Sequence, residues 1–250
     1  MLRPVAIVGT GNVAHHLVKA IQSSSIVLAG VYGRNIEKAK EMAGNETAVF
    51  KHTDDIPKDC ICIIAIKDDA LPEVLNQLKR HDLAHTSGSA PLASSKNGSG
   101  VFYPLQTFSK TAEVDMSKVP FLIEANFPEF EAELKYLASE LSKKVLVMDS
   151  ENRSKVHLAA VLACNFSNHL YTLAQDYLAK HSLDDSILQP LIETTALKLR
   201  DMKAAEAQTG PAIRRDKEVV KKQVEDLQST PDLQELYILF TQSILNHHGS

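Results

Sequence analysis

The feature that most constrains this chain is a glycine turn close to its start. Val5-Ala6-Ile7-Val8 is a short apolar run rich in β-branched residues, and it leads into Gly9-Thr10-Gly11-Asn12-Val13-Ala14. Beyond the turn, apolar residues recur at helical spacing as far as Ile21. A strand that passes through G-x-G-x-x-A into a helix needs each small residue for its own reason. Gly9 permits the tight turn, Gly11 lets a ligand approach the backbone with no Cβ in the way, and Ala14 lets the helix lie close to the strand. The free N–H groups of the first helical turn, with the helix dipole behind them, favour an anion such as a pyrophosphate. The alternative is a tight strand-to-helix turn that binds nothing.

A second apolar run, 26–32, ends in Gly33-Arg34-Asn35, about 20 residues beyond the glycines, where a dinucleotide site reads the adenosine ribose. An acidic residue there would accept from the ribose hydroxyls and repel a 2′-phosphate. Arg34 can instead pair with that phosphate through a charge-assisted fork, so the residues point to NADP(H). Asn35 can add a neutral hydrogen bond and cap the next helix. A solvated Arg34 at a turn is the competing reading. The run 60–66 has the length and continuous apolarity of a strand covered on both faces. Residues at its carboxyl end, Ala65, Ile66 and Lys67, border the ligand crevice of an open α/β sheet. The same argument covers His85-Thr86-Ser87-Gly88-Ser89, which closes the next strand with three hydroxyls and a glycine.

Short apolar runs alternate with amphipathic ones up to about residue 150, which predicts a doubly wound, parallel α/β sheet of the Rossmann type. Helical spacing alone follows: one long pattern over 152–179, then 187–202, a Thr209-Gly210-Pro211 turn, 219–227 and 233–245. The expected domains are thus 1–150, binding the dinucleotide, and 151–250, all-helical. A net charge of −4 excludes an extended nucleic-acid surface. No run approaches ~18 consecutive apolar residues, and Met1-Leu2-Arg3-Pro4 leads directly into a strand, so neither a membrane span nor a leader is expected. Of the three cysteines, Cys60 and Cys62 alternate on one strand face with no second pair beside them. They read as buried, reduced thiols of a cytoplasmic protein rather than metal ligands.

The chain resembles the superfamily of pyrroline-5-carboxylate reductase, ketopantoate reductase and 6-phosphogluconate dehydrogenase, in which a Rossmann domain precedes a helical one. It is more closely similar to a bacterial group of Rossmann-like proteins that end in a domain of unknown function (DUF2520). The resemblance is carried by the segments 9–14, 85–88 and 100–108, by His157-Leu158-Ala159-Ala160 with Asn165-Phe166, and by Thr209-Gly210-Pro211 with Arg214 and Asp216. One departure is Tyr103, which stands before Pro104 where that group usually has histidine; an acid–base role at that position is not carried over. The resemblance implies a nicotinamide-dependent reductase or dehydrogenase whose substrate lies between the two domains.

The residues of the long helix fit that implication. His157, Val161 and Asn165 recur at intervals of four, among Leu, Ala and Val, and a buried histidine or asparagine needs a partner. They are the catalytic candidates, His157 exchanging the proton and Asn165 orienting the substrate; the alternative is that both merely lock the domains together. A histidine near neutrality suits the proton step that accompanies hydride transfer. Ser87, Gly88, Tyr103, Gln106 and Thr107 are the candidate substrate residues. Arg214 is a candidate partner for a substrate carboxylate or phosphate, unless it pairs with Asp216. The reading is therefore an NADP(H)-dependent oxidoreductase of a small anionic metabolite, a homodimer with no metal. The alternatives are a catalytically inactive NADP(H)-binding sensor and a deazaflavin-dependent NADP reductase.

Overall fold

The computed structural model describes residues 3–248; Met1 and Leu2, whose run into the first strand was expected, lie outside it. The chain forms β1 (Val5–Val8), α1 (Asn12–Gln22), β2 (Leu28–Tyr32), α2 (Ile36–Ala43), β3 (Val49–Phe50), β4 (Ile61–Ile64), α3 (Leu71–Gln77) and β5 (Asp82–His85). There follow β6 (Ser99–Pro104), β7 (Phe121–Ala125), α4 (Pro128–Leu141), β8 (Val145–Val147) and α5 (Ser150–Ala160). One eight-stranded sheet has the order β3-β2-β1-β4-β5-β6-β7-β8. Its first six strands run parallel, and the order reverses at β1. That reversal is where open α/β sheets form their ligand crevice.

All four residues of β1 and of β4 are buried, as strands covered on both faces require. Successive side chains enter opposite layers. Val5, Ile7, Ile61 and Ile63 pack with Leu17 and Ile21 of α1 and Leu134 of α4, while Ala6, Val8, Cys62 and Ile64 pack with Leu71 and Leu78 on the other face. Two features depart from the expected sheet. β7 returns antiparallel to β6, because the segment joining them contains no crossover helix. β3, only two residues long, carries too little pattern to be read in advance.

The first compact unit extends to Asn165, so α5 belongs with the sheet rather than with the later helices. Asp149 caps α5 by accepting from the Asn152 N–H (2.8 Å), and Val156 packs beside Val101, Tyr103 and Leu122. The helical run expected over 152–179 is not uniform. After α5 comes a π turn, Val161–Phe166, before α6 (Ser167–Lys180). The second unit, from Phe166 onward, adds α7 (Gln189–Lys198), α8 (Ala204–Ala207), α9 (Lys217–Asp226) and α10 (Pro231–His248). Pro190 sets the start of α7, which is shorter than the 187–202 pattern suggested. No residue of α6, α7, α9 or α10 is fully buried.

Candidate active site

The glycine turn has the geometry its sequence demands. Gly9 takes φ +134°, and a Cβ there would stand 2.1 Å from the Ala65 carbonyl oxygen, so the turn after β1 lies directly on the end of β4. Gly11 is the opposite case: nothing lies within 4 Å of the Cβ it lacks. Gly11 is also the N-cap of α1, with no side-chain cap and no acidic residue in the first turn. The first-turn N–H groups are therefore donors without a partner among the described residues and beside open space, the cradle a pyrophosphate requires. Ala14 is buried against the sheet.

Gly33 makes room for Thr10, whose Cγ2 would lie 2.4 Å from a Cβ at position 33. Asn35 caps α2, its Oδ1 accepting from the Lys38 N–H at 3.0 Å. Arg34 is exposed and joins no ion pair among the described residues. A guanidinium free of carboxylates at the end of β2 fits a 2′-phosphate. Asn12 donates to the Phe108 carbonyl (2.9 Å) and His16 Nε2 to the Ser109 carbonyl (2.7 Å). These bonds bring the loop with Gln106 and Thr107 onto the first turns of α1. Gln106 Oε1 accepts from the Thr107 backbone N–H (2.8 Å), and both side chains are exposed.

The ends of β5 and β6 form a second cluster. His85 is fully buried; its Nε2–H donates to the Pro91 carbonyl (3.2 Å) and its Nδ1 accepts from the Ser87 N–H (3.3 Å). Burial pushes its pKa down, which keeps the ring neutral. Ser87 accepts from the Ala90 N–H (2.9 Å) and donates to Asp68 (2.8 Å), as does Ser89 (2.7 Å). Against Gly88 sit Tyr103 and His157, joined between the Tyr103 hydroxyl and Nδ1 at 3.0 Å. Burial raises the Tyr103 pKa and holds the phenol protonated.

Arg153, four residues before His157, is 0% exposed. It pairs with Glu124 and donates to the Ala90 carbonyl (2.5 Å) and to Ser150 Oγ (3.1 Å). Arg153, Glu124 and Asp68 were not legible as site residues in the sequence. The signal for Arg153 was its i−4 position on the His157 stripe. Asn165, also on that stripe, is exposed. In an unbroken α-helix eight residues overshoot two turns by about 80°. The π turn absorbs about one extra residue and brings Asn165 back toward the His157 meridian. Lys67 is exposed at the end of β4. In the second unit, Arg214 is exposed in the turn before α9 and pairs with no carboxylate among the described residues. Asp216 is engaged in capping α9 through the Val219 N–H (3.2 Å). Cys60 and Cys62 are buried as expected, whereas Cys164 is exposed. Among the described residues there is no metal-binding cluster and no helix long and apolar enough to cross a membrane.

The Rossmann sheet with its glycine-turn phosphate cradle, together with the likenesses that follow, places the chain in the class of NADP-dependent oxidoreductases. Within it, the chain belongs to the family described as domain of unknown function (DUF2520), whose profile matches residues 119–244. Residues 4–87 match a second family, NADP oxidoreductase coenzyme F420-dependent. A Bacteroides fragilis protein assigned as an NADP oxidoreductase shares 38% identity, with 100% of this chain and 99% of that chain covered and a TM-score of 0.90. A Thermotoga maritima protein aligns at 22% identity over 98% of both chains, with a TM-score of 0.74. A Plasmodium falciparum pyrroline carboxylate reductase with NADP bound aligns at 12% identity over 97% of this chain and 99% of that chain, with a TM-score of 0.61. The last two likenesses concern the fold alone. No curated protein matches the chain.

Proposed function

We propose that this protein uses NADP(H) to move hydride to or from a C=O or C=N carbon of a small anionic metabolite, with His157 exchanging the accompanying proton. The observation that supports this most directly is a half-buried histidine, hydrogen-bonded to Tyr103 and packed on Gly88, at the sheet edge that carries the glycine turn. When bound, the cofactor supplies or accepts the hydride. The chain's own residues do the rest. The amides of the segment 9–14 hold the pyrophosphate, Arg34 and Asn35 hold the 2′-phosphate and ribose beside Gly33, and Ala65, Ile66 and Lys67 border the cofactor. Asn165 orients the reacting group, while Ser87, Gly88, Gln106, Thr107 and the ring of Tyr103 form the substrate wall. The unpaired Arg214 is the group that selects an anionic substrate.

In this reading residues 1–150 bind the dinucleotide and supply part of the substrate wall, and 151–250 serve substrate binding and dimerisation. Leu191, Leu239 and Phe240 of the helical unit are exposed, and a bundle of this kind needs a cover for its apolar face. A second copy of the chain supplies it. Three free cysteines accord with a cytoplasmic location. The match of 4–87 to a deazaflavin-linked family supports a second reading, in which a reduced deazaflavin donates the hydride and NADP accepts it. Absorbance at 340 nm decides between them. Oxidation of NADPH by small keto or imino acids supports the first. Reduction of NADP by reduced deazaflavin, with no response to those acids, supports the second and overturns the first.

A further inference from the structure

Tyr103 has a place in the site that its position in the sequence does not announce. Its hydroxyl lies 3.0 Å from His157 Nδ1, and the two rings meet edge to face with centroids 5.9 Å apart. Both rings press on the Gly88 backbone: a Cβ there would stand 2.6 Å from Nδ1 and 2.8 Å from Tyr103 Cζ. Gly88 is itself fixed, since the flanking Ser87 is bonded to His85, Asp68 and Ala90. The helix carrying His157 is anchored one turn earlier by the buried Arg153, which holds the Ala90 carbonyl of the same loop. The pair is therefore held by the loop at Gly88 and by the anchored helix.

We propose that Tyr103 is a positioning residue for His157, its hydroxyl holding Nδ1 and leaving Nε2 as the nitrogen that exchanges the proton. The inference rests on the assignment of His157 as the proton-exchanging group. The Tyr103 hydroxyl has no other partner among the described residues. Beside the resting neutral imidazole it donates to Nδ1, which puts the ring proton on Nε2. Beside an imidazolium it turns and accepts from Nδ1–H, because a hydroxyl can do either. The contact thus survives both protonation states, and the ring need not move between them. In the reductive direction the Nε2–H bond of the imidazolium breaks and its electrons stay on nitrogen, which leaves a neutral ring protonated on Nδ1 until Nε2 takes up a proton from water. The substrate heteroatom forms the new bond to that proton, and Nδ1–H remains on the Tyr103 oxygen.

The test needs no substrate. With ¹⁵N-labelled histidine in the full-length protein, and His157 assigned from its absence in His157→Gln, the Nδ1 resonance at pH 8.5 is expected at a hydrogen-bonded acceptor position. Tyr103→Phe should move it to that of an unbonded ring nitrogen while the other histidines stay in place. An unmoved Nδ1 resonance overturns the proposal. The unaltered protein offers a second measurement: a slowly exchanging Tyr103 hydroxyl proton with a cross-peak to the His157 ring supports it, and absence of that cross-peak contradicts it. Once a substrate is in hand, Tyr103→Phe should lower kcat at least about tenfold and change KM by less than about twofold. A rise in KM with kcat preserved would make Tyr103 a substrate contact and overturn the proposal. Intact resonances in a protein without hydride-transfer activity would defeat the functional reading and leave the Tyr103–His157 contact standing; a missing contact in an active enzyme would do the reverse.

Discussion

Replacing Arg153 with methionine removes the one charge buried completely among the described residues of the sheet unit while roughly keeping the length of the side chain. Its guanidinium joins three partners on separate elements: Glu124 on β7, the Ala90 carbonyl on the loop after β5, and Ser150 at the start of α5. The Glu124 side chain is only 17% exposed and would keep just the Ser150 hydroxyl, at 2.7 Å. Breaking such a pair from one side typically costs 3–5 kcal/mol, and the remaining hydroxyl and partial exposure put this case at about 3 kcal/mol. For a chain of this size that is roughly a 6–12 °C fall in Tm. Removing both charges, as Arg153→Met with Glu124→Leu, should restore most of the loss, since an apolar pair carries no unpaired charge. Urea unfolding followed by circular dichroism, with all variants at one protein concentration, gives the values. A single variant within 1 kcal/mol of the parent, or a double variant no better than the single, would refute the account of Arg153 as a paired, load-sharing ion.

The two glycines of the turn should separate stability from binding. Gly9→Ala meets the Ala65 carbonyl and a positive φ, so it should destabilise by about 1–3 kcal/mol. Gly11→Ala should melt within about 2 °C of the parent, as surface changes do, yet lose NADPH affinity in calorimetry because the new methyl enters the phosphate approach. His85 gives a pH dependence. Its folded pKa lies below the ordinary histidine value, so below about 6.5 the unfolded chain binds more protons. Stability should therefore fall as pH drops from 7.5 to 5.5, and His85→Gln should reduce the slope of Tm against pH. Burial pushes the Cys62 thiol up to about 12 and raises that of Cys60, whereas Cys164 is exposed. A thiol reagent at pH 8 should modify one cysteine per native chain quickly, and Cys164→Ser should abolish that fast phase.

What could be read from the sequence was what depends on local pattern. The turn at Gly9–Ala14, the Asn35 cap, the buried run of β4 and the helical character after 150 all follow from spacing and residue type within a few positions. What escaped depends on contacts far apart in sequence. Arg153 looks like any solvated residue in the first turn of a helix; only the fold places Glu124 and Ala90 beside it, 29 and 63 residues away. The reversal of β7 was missed although no helical spacing separates it from β6, and an antiparallel return needs no crossover helix. Asp68 reads as the start of a charged turn, and its role emerges when β4 and β5 bring Ser87 and Ser89 to it. The bond between Tyr103 and His157 spans 54 residues and was invisible for the same reason.

The glycine turn and Arg34 together build a site for NADP(H), and calorimetric titration with NADPH and NADH tests it most directly. The account predicts that NADPH binds the parent protein about 10–100-fold more tightly than NADH, the worth of one charge-assisted contact. Arg34→Glu should erase that preference and leave NADH binding nearly unchanged. Equal affinity for the two cofactors in the parent protein, or an NADPH preference that survives Arg34→Glu, would contradict it.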